Sequence, residues 1–238
     1  MKTGGISSND TQPVAGTRHF LIFLGITAAV TISGFAAQHR PVAGGGLVET
    51  REQVIPIYLS LAALNWFLVL FVWRGIRGRG HSFRSLIQGR WANVRDVLRD
   101  VGIAAAFWGV LLGAVWVLDR FLSQGQAKSL ELLLPRSALE VGVWILTSMS
   151  AGFCEEFVFR GYVQRQLLSW SGNTPISVIG QGILFGLMHA YQGWMLAIRI
   201  VVIGILFGVL AAWRKTLRVG MVAHAWQDIW AGWLSIIF

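Results

Sequence analysis

Seven stretches of this chain are apolar over lengths that suit a membrane helix, and polar or glycine-rich breaks separate them. They run over 20–37, 54–73, 101–118, 141–167, 175–190, 194–213 and 219–238. At 1.5 Å per residue, about 20 residues cross the roughly 30 Å hydrocarbon layer. The breaks have distinct characters. Residues 1–17 are Gly-, Ser-, Thr- and Asn-rich and predict a mobile tail. Gly44, Gly45 and Gly46 mark a loop, and Pro135 lies in another. From Arg74 to Asp100, the apolar residues Phe83, Leu86, Ile87, Trp91, Val94, Val97 and Leu98 recur at helical spacing among arginines, which predicts an amphipathic helix on the membrane surface. Ser171 to Pro175 form a turn, with Thr174 placed to cap a helix that has proline at its first position. The first apolar run follows a long, weakly basic segment and is read as a retained helix, not a cleaved leader. The predicted fold is all-α, a polytopic transmembrane bundle of about seven spans.

Composition agrees with this reading. Of the 238 residues, 55% are hydrophobic and 13% charged, about half the roughly 25% charge of a soluble domain. The net charge of +9 would suit nucleic acid if it formed one patch, but the basic residues lie in loops between apolar runs, so the partner is the lipid bilayer and not nucleic acid. Placing 74–100 in the cytoplasm puts Lys2, Arg18, Arg160, Arg165, Arg214, Lys215 and Arg218 on the same side and leaves Arg40, Arg51, Arg120, Lys128 and Arg136 outside. Trp66, Trp73, Trp170, Trp194 and Trp213 fall near span ends, as in an interfacial belt. The single cysteine, Cys154, cannot form an intrachain disulfide and reads as a small buried filler.

Candidate chemistry comes from groups that are expensive inside a membrane, at about 2.5–3.5 kcal/mol each on insertion scales. They are Glu155, Glu156, Arg160, His189, Arg199, His224 and Asp228, all in the last four runs. Glu156 and Arg160 stand four apart and suit an ion pair on one helix face. Glu155 lies about 100° around the helix and faces elsewhere, toward a cavity, as a general base for water. His224 and Asp228 are also four apart. Two chemistries fit the set. Without a metal, Glu155 and His189 deprotonate a water while His224 and its partner meet the oxyanion. With one, His189, His224 and a carboxylate such as Asp228 bind a divalent ion such as Zn²⁺ and leave a position for water. No cofactor is firmly implied.

The order Glu-Glu-x-x-x-Arg, Phe-x-x-x-His and His-x-x-x-Asp over successive late spans resembles the CPBP family, the CAAX prenyl proteases and bacteriocin-processing or Abi proteins. The resemblance covers 141–238, the family's four-helix core, and implies an intramembrane endopeptidase acting on a hydrophobic or lipid-modified peptide or protein. It implies that Glu155 and His189 activate water, that His224 and Asp228 form the oxyanion site, and that Glu156 and Arg160 support them. The prenyl proteases typically carry asparagine where this chain has Asp228, and an ionised aspartate cannot donate to an oxyanion.

Two other readings use the same residues. One is a proton-coupled transporter with an ionisable relay, and the other a peptide-binding immunity or scaffold protein. Arg199 is open to pairing with a carboxylate or to anchoring an anionic peptide terminus. Counted inward from the helix ends, Glu155 and His189 lie roughly 15–20 Å deep and His224 about 10 Å, so a shared site demands tilted or broken helices.

Overall fold

The computed structural model describes residues 12–38, 50–121 and 133–237, with side chains described to residue 232. The glycine-rich loop at 44–46 and most of the N-terminal tail lie outside the described residues. We number the helices α1 (Thr17–Gln38), α2 (Val54–Arg77), α3 (Phe83–Ile87), α4 (Val94–Phe121), α5 (Ala138–Ser171), α6 (Thr174–Met188), α7 (Trp194–Arg214) and α8 (Arg218–Ile237). Among the described residues there is no strand.

Helices stand at all seven expected positions. Among the described residues, five of them are long and apolar enough to cross a membrane by length and composition: α1, α2, α4, α5 and α7. α6 has 15 residues, about 22 Å of helix, short of the roughly 30 Å layer. α8 is long enough at 20 residues but, with Arg218, His224 and Asp228 along it, is not among the apolar five. The candidate histidines belong to these two elements: His189 caps the C-terminus of α6, and His224 lies within α8. Outward faces are apolar, as lipid contact requires: Leu21, Leu59, Phe67, Val110, Trp116 and Leu146 are all exposed. α5 is the most buried of the five and α4 the least, so α5 is the central post.

Local sequence explains the helix ends. Ser137 caps α5 by accepting from the Glu140 N–H, and the Glu140 carboxylate accepts from the Ser137 N–H. Gly172 closes α5 in the left-handed conformation. The cap of α6 is Asn173 and not Thr174: its extended backbone lets the amide oxygen accept from the Ile176 N–H at 3.0 Å. The basic stretch from Arg74 to Asp100 is divided among the end of α2, the short α3 and the start of α4, because Gln88 and Gly89 turn the chain at positive φ. Its apolar residues consequently part company: Leu86 is fully buried, whereas Val94 and Leu98 are exposed. The tail is docked by residue 14, since Val14 and Ala15 are buried and the Ala15 N–H donates to Gln166.

Close backbone approach holds the C-terminal helices together. Gly182 and Gly186 of α6 face α7 so closely that a Cβ at Gly182 would stand 3.0 Å from the Ile205 nitrogen, and one at Gly186 would stand 2.8 Å from the Ala197 oxygen. Lipid-immersed helices associate through such small-residue stripes. Gly152 of α5 meets α8 in the same way, at Met221 and Ala225.

Candidate active site

α5 changes pitch where the carboxylates lie. Glu155 is its last regular residue, and Glu156–Val163 forms a π-helical stretch whose eight residues are all buried. Such widened turns recur at functional sites. The change divides the two glutamates. Glu156 points into the bundle with no exposure and meets Arg160, equally buried, at 2.8 Å. Arg160 also donates to the Gly204 carbonyl at 3.1 Å, and its guanidinium stands over the rings of Phe185 and Phe207. Glu155 turns instead toward a cavity of about 660 Å³ and lines it together with His189, His224, Asp228, Arg199 and Asn65.

α6 ends inside the bundle and delivers His189 at its terminus. The residue has left the helix (φ −96°, ψ 6°), and its Nδ1 donates to the Phe185 carbonyl at 2.8 Å. A carbonyl only accepts, so Nδ1 carries the proton and Nε2 is left facing the Glu155 carboxylate at 3.9 Å. His224 is oriented from the other side. Its Nδ1 lies 3.0 Å from the same Glu156 oxygen that Arg160 holds, and its Nε2 stands 3.6 Å from Glu155 and 3.7 Å from Asp228. Glu156 thus serves as a hub, paired with Arg160 and aiming His224. Gly220 makes room for it, because a Cβ there would stand 2.7 Å from the second Glu156 oxygen.

The disparity in depth is resolved by an offset between helices. Leu217, just before α8, reaches α5 at Gly161, where an added Cβ would meet its Cδ1 at 3.0 Å, and its N–H donates to the Ile87 carbonyl. Six residues back along α5 lies Glu155, and seven residues forward along α8 lies His224. At 1.5 Å per residue these are about 9 and 10 Å, so both arrive at one level.

The four sequence-predicted groups Glu155, His189, His224 and Asp228 share one cavity, and Glu156 and Arg160 buttress it from behind. The proposed metal set is less well assembled. Asp228 stands beside His224, whereas His189 has Glu155 for its neighbour, and among the described residues no three such side chains gather as metal ligands. Arg199 pairs with Asp119 of α4 at 2.7 Å. Cys154 is fully buried in the central apolar cluster, as expected of a filler.

Sequence reasoning missed Asn65. This α2 residue donates its amide N–H to the other Glu155 oxygen at 3.1 Å. The signal was present, an amide within an apolar run, but asparagine carries no charge and falls outside a search for ionisable groups. Asp119 escapes the sequence search because it falls just beyond the apolar run that ends at residue 118, whereas α4 continues to Phe121.

Residues 137–230 match the family model described as Rce1-like, type II CAAX prenyl endopeptidase Rce1-like. The matched segment opens on the cap of α5 and reaches past Asp228 in α8, so it holds Glu155, Glu156, Arg160, His189, His224 and Asp228 but not Asn65. No curated protein and no solved structure matches the chain.

Proposed function

We propose that this chain, whose residues 137–230 match the Rce1-like CAAX endopeptidase family model, is an intramembrane peptidase that hydrolyses a membrane-tethered or hydrophobic peptide and uses Glu155 as general base. The observation that carries the reading is the convergence of Glu155, His189 and His224, from three helices, on one cavity inside the bundle.

The geometry suggests the following course. A water between the Glu155 carboxylate and His189 Nε2 gives its proton to this pair, which is general base catalysis by groups already aimed at one point. The hydroxide attacks the scissile carbonyl. Negative charge then grows on the carbonyl oxygen, and His224, as imidazolium, donates to it from Nε2 while Nδ1–H stays on Glu156. The proton taken from water passes to the leaving amine, so the carboxylate is regenerated. Asp228 as a carboxylate can only accept, so its part is to orient His224. If a divalent ion binds, His189 and His224 are the nitrogens that would hold it, and it would supply Lewis acidity to the same water.

The cavity walls suit an apolar substrate. Leu61, Leu64, Leu68, Met195 and Ile200 line it alongside the polar groups. The test is cleavage of fluorogenic peptides, farnesylated and unmodified, by protein reconstituted in proteoliposomes. Wild type cleaves, and Glu155→Gln inserts and binds peptide but does not cleave. A fully active Glu155→Gln variant overturns the proposal.

A further inference from the structure

The segment with family motifs begins at residue 137, yet the carboxylate proposed as base is held partly from outside it. We infer that Asn65 is a positioning residue for Glu155, so that α2 is part of the hydrolytic machinery and not only its support. This rests on the reading of Glu155 as general base.

The geometry is directional. A carboxylate has two oxygens and both accept. Asn65 donates to Oε1 at 3.1 Å, while the interactions with His189 and His224 both fall on Oε2, at 3.9 and 3.6 Å. The amide therefore secures the oxygen that is not needed and turns the other one toward the imidazoles. Without it the carboxylate rotates about its last bond, since the residues on the Oε2 side lie beyond hydrogen-bond length. A base held to within a few tenths of an ångström is what general base catalysis requires.

Independent contacts fix α2 in register with α5. The two helices run parallel. Near their starts Arg51 forms an ion pair with Glu140. One to two turns further in, Tyr58 meets Trp144 ring to ring at 5.2 Å. Deeper still Trp66 stacks on Phe153 at 5.7 Å. From Arg51 to Asn65 is 14 residues and from Glu140 to Glu155 is 15, about 21 and 22 Å of helix. The matching lengths deliver the amide and the carboxylate to the same depth. The amide sits in the stretch 61–73 of α2, whose other residues are apolar or aromatic, where a polar group must find a partner within the protein.

The test uses full-length protein in proteoliposomes with the peptide that wild type cleaves. Asn65→Leu, similar in volume but unable to donate, lowers kcat at least 10-fold with KM within 2-fold and an unchanged melting temperature. Asn65→Gln, which keeps the amide on a longer stem, recovers part of kcat. A wild-type kcat in Asn65→Leu, a loss that falls on KM or on the melting temperature instead of kcat, or an Asn65→Gln variant no better than Asn65→Leu would each overturn the inference. Glu155→Gln measured alongside separates the two levels. If it is inactive while Asn65→Leu is fully active, only the positioning role fails. If Glu155→Gln is itself active, the general-base reading fails.

Discussion

Replacing Arg160 with leucine tests the hub on which the site is built. In the native bundle Arg160 and Glu156 have no exposed side-chain surface and lie 2.8 Å apart. The substitution leaves the carboxylate buried with His224 as its remaining donor, because the second Glu156 oxygen has no hydrogen-bond partner among the described residues. It also strips a donor from the Gly204 carbonyl and a cation from the faces of Phe185 and Phe207. Removing one partner of a buried pair costs about 3–5 kcal/mol, chiefly because the other charge is stranded. At about 2–4 °C per kcal/mol for a chain of this size, the melting temperature should fall by about 6–20 °C. Thermal unfolding in detergent, followed by tryptophan fluorescence, measures it directly. The double variant Glu156→Leu/Arg160→Leu removes both charges and should recover much of the lost stability, since an apolar pair of similar volume is often no worse than an ion pair. It should still be inactive, because His224 loses the carboxylate that aims it. A melting temperature within about 2 °C of wild type for Arg160→Leu, or a double variant less stable than the single one, would refute the account of the pair as a stabilising and orienting hub.

Other consequences concern single atoms. Gly220→Ala puts a methyl 2.7 Å from the Glu156 carboxylate oxygen; it should destabilise by about 1–3 kcal/mol as overpacking and lower kcat more than it raises KM, whereas Gly113→Ala, with open space around it, should change neither. Asp228→Asn should retain cleavage within about 10-fold, since an amide can still orient His224 and can also donate, while Asp228→Ala should lose about 10–100-fold in kcat/KM, the range for losing a partner that orients a functional histidine. Treatment with a strong chelator should leave peptide cleavage unchanged. A loss that Zn²⁺ restores would move the mechanism to the metal-assisted form. Gly182→Leu should separate α6 from α7 and abolish cleavage with a clear fall in melting temperature, and activity retained there would refute the tight-packing account of how His189 is placed.

Hydropathy alone places the helices, because lipid requires long apolar runs and every run in this sequence stands out from its polar breaks. Burial cost alone selects Glu155, Glu156, Arg160, His189, Arg199, His224 and Asp228, since charges in a membrane demand partners. The i, i+4 spacing of Glu156 and Arg160 even identifies a pair that the structure contains. The spacing of His224 and Asp228 is less telling, because His224 makes its 3.0 Å contact with Glu156 across to α5 and leaves Asp228 at 3.7 Å.

What the tertiary structure decides is level and direction. Periodicity does not say that α6 stops after 15 residues so that His189 lies at its end, nor that α8 begins beside Gly161 so that His224 reaches Glu155. The second follows from how closely a glycine lets the chain approach α5, a property of pairs of helices and not of any one run. Nor does a neutral amide in a span advertise a partner 90 residues away. Asn65 becomes visible only when α2 is laid against α5 and the lengths from Arg51 and from Glu140 are seen to agree. The ionisable groups were legible one at a time. Their assembly into a site depends on helix offsets that the packing of backbones alone sets.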